Sequence, residues 1–342
     1  MPTDPPTDPP TDLPSDPTSE FDVRLEVLER LAPDDLSAVT ALVAAATEAD
    51  GLHPLSEHVM LHLPSTAPGA DRHLLVFATP AEGGAERLAG YGHLDPTDAV
   101  DGASAEVVVH PDLRGHGVGR LMVGHLQELS PDGRLRLWAH GQQAGARALA
   151  ESLGYVSVRK LWQMRRSLRQ DVPALDPPPG YTLRAFRPGA DDEAWLAVNA
   201  AAFAHHPEQG RWTAQDLAFR MAEDWFDPAG FLLLDGPDGD LAGFHWTKVH
   251  GSDPAARHGH DRIGEVYVVG VSPAHQGHGL GAVLTVAGLR HLRSQGLTQV
   301  MLYVDGDNEA AVRTYSRLGF TRAAVDVQYS RPLPSAALTD QP

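Results

Sequence analysis

The stretch from Val266 to Leu284, VYVVGVSPAHQGHGLGAVL, constrains the fold more than any other. A β-favouring apolar run breaks at Ser272-Pro273, meets glycine at 277, 279 and 281, and then turns apolar again. The pattern predicts a strand, a tight turn and a helix, with bare backbone where the helix begins. Val107 to Val123, VVVHPDLRGHGVGRLMV, repeats it: strand, Pro111, Arg114, then glycine at 115, 117 and 119. A repeat of this length and spacing predicts two copies of one domain. The 342 residues suffice for two domains with real cores.

The elements around the loops recur in order. The first half predicts a helix over 34–51 that closes at Gly51, then strands over 73–80, 88–96 and 105–110. After its loop come a helix over 119–129, a strand over 134–140, a helix over 144–154 and a strand over 156–168. The second half predicts helices over 191–204 and 213–224 and strands over 230–235, 241–250 and 264–271. After its loop come a helix over 281–296, a strand over 299–305, a helix over 308–319 and a strand over 321–330. Arg169 to Gly180, RQDVPALDPPPG, has the proline density of a linker. The expected organisation is a first domain over 20–168, a linker over 169–180 and a second domain over 181–332. Each is expected to be an α+β unit, a mixed central sheet flanked by helices. Residues 1–19, repeating Thr-Asp-Pro-Pro, and 333–342 are expected to be flexible tails without core-forming residues.

A formal net charge of -18 argues against a general nucleic-acid binder, which needs a basic face. It favours a cationic or amine-bearing substrate, with surface acidity for solubility as the alternative. The absence of cysteine excludes disulfides, thiolate metal sites and a Cys nucleophile. No apolar run is of membrane-spanning length and no signal pattern opens the chain, so a cytoplasmic enzyme, acting as a monomer, is expected.

A helix N-terminus presents unpaired N–H groups and a partial positive charge, and glycines let an anion reach them. Phosphate or pyrophosphate is the natural ligand. Neither loop has the Gly-Lys-Ser/Thr of a nucleoside-triphosphate loop, and G-x-G-x-G is not the G-x-G-x-x-G of a dinucleotide fold. The remaining alternative is a glycine turn without ligand. Gln276-Gly277-His278-Gly279-Leu280-Gly281 and Arg114-Gly115-His116-Gly117-Val118-Gly119 resemble the pyrophosphate loop of the GNAT acyltransferases, which bind acetyl-CoA. NEAAVRTYSRLGF, Asn308 to Phe320, resembles the later helix of that family, where Asn and the next turn meet the CoA arm and a Tyr faces the thioester sulfur.

Acetyl transfer to an amine needs a base, a polarised carbonyl and a proton for the thiolate. Glu265, near the start of the strand that ends at the second loop, is the candidate base. Without a bulge it shares strand parity with Tyr267, Val269 and Val271. The bland alternative is an exposed strand-end Glu. Gly270, inside that strand, marks a bulge or a close backbone approach. In GNAT enzymes a bulge here splays two strands and aims a backbone N–H at the acetyl carbonyl. Tyr315 matches the family's general acid; alternatively Val312, Tyr315 and Phe320 form an apolar face. Aligned on the loops, Ala103 falls opposite Glu265 and Val108 opposite Gly270. Aligned on Gly154 and Gly319, Ala150 falls opposite Tyr315, Gln143 opposite Asn308 and Trp138 opposite Tyr303. One active site, in the second copy, is therefore expected.

DGLHPLSEHV, AAFAHHPEQGRWT, WFDP, GFHWTKVH and LYVDGDNEAAVRTYSRLGF extend the likeness across both halves. The chain resembles the mycothiol synthases, a tandem-GNAT family that N-acetylates the cysteinyl amine of cysteinyl-glucosaminyl-inositol (desacetylmycothiol). The resemblance implies that Glu57, Glu208, Lys248, Glu265 and Tyr303 contact that small-molecule amine. It implies that Val269, Gly270, Val271, Gln276, Gly277, His278, Gly279, Leu280, Gly281, Ala282, Asn308, Glu309, Ala310, Ala311, Val312 and Arg313 hold acetyl-CoA. In the first copy Val107, Val108, Val109, Arg114, Gly115, His116, Gly117, Val118 and Gly119 would hold a second CoA. No metal is implied; the pairs His258/His260 and His205/His206 read as loop residues. The rival functions are a tandem GNAT acting on another small-molecule or peptide amine, and a CoA-sensing scaffold.

Overall fold

The computed structural model describes residues 20–64, 69–98, 101–251 and 262–332, apart from the side chains of Pro207 and Glu208. The expected tails and the pair His258/His260 lie outside these residues. The first half contains β1 (Phe21–Leu28), α1 (Pro33–Asp50), α2 (Glu57–His62), β2 (Arg72–Pro80), β3 (Arg87–Asp95), β4 (Ala103–Val109), α3 (Val118–Leu129), β5 (Leu135–Ala139), α4 (Ala144–Ser152) and β6 (Val156–Ser167). The second contains β7 (Thr182–Ala185), α5 (Asp192–Ala202), α6 (Pro207–Gly210), α7 (Ala214–Met221), β8 (Phe231–Asp235), β9 (Leu241–His250), β10 (Ile263–Val271), α8 (Leu280–Ser294), β11 (Gln299–Asp305), α9 (Glu309–Arg317) and β12 (Thr321–Ser330). The short elements β1, α2, α6 and β7 add to the set read from the sequence. Among the described residues, no helix is long and apolar enough to cross a membrane.

The contacts divide the chain into two units. Among the described residues, the first comprises those within 20–140, 144–156 and 330–332; the second comprises those within 141–143 and 157–329. In the first, β1 to β4 form an antiparallel run and β4 pairs in parallel with β5. α1 puts Val39, Leu42, Val43 and Ala46, one helical face, against Leu75, Tyr91 and Val108. Its end is Gly51, at φ 69°, the left-handed cap that glycine adopts without strain. On the opposite face, Met122 and Leu126 of α3 reach β3 at Gly90 and Gly92.

In the second unit the strand order is β7-β8-β9-β10-β11-β6-β12. β10 and β11 are parallel; β7, β8 and β9 run antiparallel in succession up to β10. β6 pairs antiparallel with β11 along its whole length, from Gln299↔Ser167 to Asp305↔Leu161. This strand, expected with the first half, groups instead with the second unit from Ser157 onward. An unpaired β11 edge would leave a row of backbone donors and acceptors unsatisfied, and β6 supplies their partners. By its pairing, β6 belongs with the strands that follow the proline-rich stretch.

One face of this sheet is built on aromatic rings. Phe186, Phe231 and Trp246 stack in series, with centroids 4.1 and 4.3 Å apart. Wholly buried Trp195 of α5 meets Phe231, Phe244 and Trp246 edge-on. The other face carries α8, whose Val286, Leu289 and Leu292 pack with Val266, Val300 and Leu302.

β10 does not keep one phase. Val266 pairs with Thr247 and Val268 with Trp246, so Tyr267 is an extra residue: the strand bulges there. The bulge reverses the expected parity. Directly paired residues face one way, so Glu265, opposite Lys248, shares its face with Val268 and Gly270, opposite Trp246 and Phe244. Val269 instead packs against the α8 side. The bulge expected at Gly270 thus lies three residues earlier. Gly270 answers the other reading, close approach: a Cβ there would stand 2.6 Å from Phe244 Cε1.

Gly270→Ala should therefore overpack the core and destabilise the protein by about 1–3 kcal/mol, read from urea unfolding. Trimming the opposing ring in Gly270→Ala/Phe244→Leu should recover part of that loss, so that the two effects do not add. Simple additivity would mean that backbone conformation, not the ring, requires glycine at 270.

Candidate active site

Both loops have the anticipated geometry. Gly277 and Gly279 sit at φ 85° and 72°, and Gly115 and Gly117 at 84° and 82°. These left-handed values cost a glycine nothing and strain other residues. Gly279 and Gly117 are the N-caps of α8 and α3, and neither offers a capping side chain. The helix N–H groups are left to turn outward towards an anion. Gly281 has open space where a Cβ would be, whereas a Cβ on Gly119 would stand 3.1 Å from Leu149. The second loop is thus open at all three glycines; in the first, the third also serves packing. Gln276 Nε2 donates to Val271 O at 3.3 Å and Arg114 Nε to Val109 O at 3.2 Å, so each loop is tied back to its own strand in the same way. Arg114 also forks onto Asp50 at 2.7 and 2.8 Å. His116 pairs with Glu20 at 3.1 Å, and His278 Nδ1 faces the His275 and Gln276 carbonyls.

Beside the second loop, pairing of β10 with β11 stops at Val266↔Leu302, just before the bulge. The strands then part, with the backbone of Val269–Val271 on the side that opens. Glu265 and Lys248, both buried, stand opposite each other at the root of this opening. Glu265 Oε2 lies 2.6 Å from His250 Nε2. Lys248 Nζ is 4.6 Å from the Trp225 ring and 5.4 Å from the Tyr267 ring, so two π-faces attend the buried ammonium. The Tyr267 hydroxyl accepts from Arg220 Nε at 2.8 Å, and that guanidinium lies 3.8 Å over Trp212. The register of β11 puts Tyr303 on the Glu265 face, its hydroxyl accepting from Gln163 Nε2 at 2.9 Å. Desolvation and the nearby Glu265 carboxylate push that hydroxyl up to about 12. Lys248, Glu265 and Tyr303 are therefore one constellation.

Glu57 lies in the first unit, at the start of α2, next to the capping Ser56. Glu208 belongs to α6, and its side chain lies outside those described. Its neighbour Gln209 is anchored by buried Asn199, which donates to Gln209 O at 2.7 Å and accepts from Gln209 Nε2 at 2.9 Å. His206 pairs with Asp305 at 3.3 Å, a carboxylate that Arg159 also grips at 2.6 and 3.0 Å. Asn308 caps α9, its Oδ1 accepting from Ala311 N at 3.1 Å. Glu309 pairs with Arg313 on the exposed face of α9, while Ala311 and Val312 pack against the core. Tyr315 joins them, 5.8 Å from Phe320, so the apolar face exists. Burial also pushes the Tyr315 hydroxyl up to about 12, which keeps its proton in place at neutral pH.

Sequence reasoning missed His250, which closes the quoted GFHWTKVH stretch without being singled out, Arg220 and Asn199, which carry no motif, and a second buried acid, Glu106. The loop alignment sets Ala103 opposite Glu265 and passes over Glu106, three residues on. Glu106 pairs with His93 and shares its phase with Val108, which packs towards α1. It accepts from Ser56 N at 2.5 Å and lies 3.2 Å from His140 Nε2. Burial opposes its ionisation, but the His140 and Ser56 hydrogen bonds outweigh burial and hold it below the usual carboxylate range. The first unit keeps no register shift between β3 and β4, and Ala150 stands where the second has Tyr315.

Paired glycine loops capping helices, each after a strand of a parallel pair, define a tandem GNAT acetyltransferase. The Acetyltransferase (GNAT) family model matches residues 195–320, and an Acetyltransferase (GNAT) domain model matches 71–157. The solved structure of a tandem GNAT protein from the clavulanic acid biosynthesis pathway shares the fold, with TM-score 0.68 and 21% identity, over 92% of this chain and 100% of that one. The mycothiol acetyltransferase of Streptosporangium roseum is 50% identical over 91% of this chain and 100% of its own. That of Acidothermus cellulolyticus is 51% identical over 90% of this chain and 95% of its own. The chain belongs to the mycothiol acetyltransferase family.

Tyr315 should ionise near pH 12 rather than near 10. The ultraviolet phenolate titration of Tyr315→Phe should lack a step at that higher pH. The unfolded chain gives up the same proton near 10, so rising pH favours unfolding between the two values. Wild-type stability should fall relative to Tyr315→Phe across that window. A missing step near pH 10 would instead mean a solvated ring.

Proposed function

We propose that the chain transfers acetyl from acetyl-CoA to the cysteinyl amine of cysteinyl-glucosaminyl-inositol, giving mycothiol and CoA, at one active site in the second unit. The observation that carries this reading is the buried Glu265–Lys248 pair at the root of the β10/β11 opening, beside a glycine loop open at all three positions.

The residues divide the work as follows. Backbone N–H groups at Gln276–Ala282 and the first turn of α8 hold the pyrophosphate, and Asn308–Arg313 line the CoA arm. The Val269–Val271 backbone offers a donor to the acetyl carbonyl. Glu265 takes one proton from the substrate ammonium, leaving a neutral amine. As the new C–N bond forms, the C–S bond breaks, and Tyr315 gives its proton to the departing thiolate. Tyr315 and Glu265 then return to their starting states by exchange with solvent. The amine has lost two protons: one reaches solvent through Glu265, and the other balances the proton delivered to sulfur. Lys248 and Tyr303 hydrogen-bond the sugar–inositol hydroxyls, where an unpaired group would be costly. The first unit keeps a CoA loop without an acid at Ala150, and Glu106 is engaged with Ser56 and His140. It binds CoA without turnover.

Purified protein given acetyl-CoA and the cysteinyl pseudo-disaccharide should yield the N-acetylated product by mass spectrometry. Acetylation of other amines but not this one would overturn the substrate and leave the enzyme class. Glu265→Gln should lower kcat by about 10²- to 10⁴-fold near neutral pH with CoA binding retained. Near-normal turnover across the pH range would exclude Glu265 as base.

The two loops can be separated as well. A β-branched side chain strains a left-handed position and fills the phosphate path. Gly279→Val should abolish turnover and remove one CoA equivalent from a calorimetric titration. Gly117→Val should remove the other equivalent and retain substantial turnover. Loss of chemistry in a folded Gly117→Val protein that still binds CoA at the second loop would refute the single active site.

A further inference from the structure

His250 ends β9 two residues after Lys248, the register partner of Glu265. Its Nε2 lies 2.6 Å from Glu265 Oε2. An ionised carboxylate has only acceptors, so at this distance the proton between the two atoms sits on Nε2. Glu265 is buried, whereas the His250 side chain is about one-third exposed, at 34%. The imidazole thus joins the buried carboxylate to solvent. Lys248 and His250 of β9, Tyr267 of β10 and Tyr303 of β11 surround that carboxylate, with Arg220 of α7 behind Tyr267. Asp326 of β12 and Arg165 of β6 act on Tyr303 from further out.

We propose that His250 is a positioning residue for the base: its Nε2–H holds Oε2 and turns Oε1 towards the amine. This rests on the reading of Glu265 as base. Held by one oxygen, the carboxylate keeps a single orientation, with its other oxygen free to meet the amine. No bond is made to His250, and the proton taken by Glu265 still leaves to solvent.

The test compares His250→Leu, which removes the donor, with His250→Gln, which keeps an N–H but cannot titrate. Each variant is first checked by circular dichroism and CoA titration. In His250→Leu, kcat should fall on the order of 10- to 100-fold while KM for the amine changes little, as expected for a misplaced reacting group. His250→Gln should restore most of that rate, again with little change in KM.

A His250→Gln enzyme no faster than His250→Leu overturns the role of the Nε2–H. Turnover lost in Glu265→Gln but normal in His250→Leu overturns the positioning role while leaving the base. Normal turnover in Glu265→Gln overturns the base itself. If His250→Leu fails to fold, His250→Ala takes its place in the comparison.

Discussion

The bulge at Tyr267 is the constraint on which the second unit's chemistry depends. One extra residue in β10 reverses the phase of the strand between Val266 and Val268. Without it, a Glu265 facing the aromatic side would leave Val269 on that side too, away from α8. With it, Glu265 and Lys248 stand on the aromatic face while Val269 and Val271 pack towards α8. The same break coincides with the end of β10–β11 pairing, so backbone groups on the opening edge become available beside the carboxylate. Charge placement and strand splay follow from one local irregularity.

Burying a carboxylate and an ammonium there is costly, and the surrounding residues offset that cost. Lys248 lies against Trp225 and Tyr267, and Glu265 holds a short hydrogen bond to His250. Arg220 fixes the Tyr267 hydroxyl and is itself laid over Trp212. Beneath them the Phe186–Phe231–Trp246 stack makes the floor rigid. Gly270 is part of this floor, because it leaves room for the Phe244 ring. The first unit has the contrasting solution. It keeps the loop and the parallel pair, but β3 and β4 run in unbroken register. Its buried acid, Glu106, closes onto the backbone of Ser56 and onto His140.

The sequence displays the parts of this protein that are local. Val39, Leu42, Val43 and Ala46 repeat at helical spacing, and Gly51 stops the helix because few other residues adopt its φ of 69°. The loop glycines are legible for the same reason: Gly277 and Gly279 hold left-handed angles that a side chain would strain. Spacing alone therefore exposed two copies, their element order and their glycine turns. The short elements were harder. β7 has four residues and α2 six, too few for a period to emerge.

What the sequence by itself determined is thus the pair of loops and the helices behind them, with Glu265 offered as a candidate base and Tyr315 as a candidate acid. Only the tertiary structure decided how these are used. The assignment of β6 to the second unit depends on which edge of β11 needs backbone partners, a long-range condition that no local pattern carries. The phase of β10 depends on a bulge that Gly270 suggested but Tyr267 supplies, since a register is set by the facing strand. His250 lies 15 positions from Glu265 in the chain and 2.6 Å from it in space. That contact exists because β9 and β10 run antiparallel in this register, and a single chain read in order has no means of recording which residues pairing will bring together.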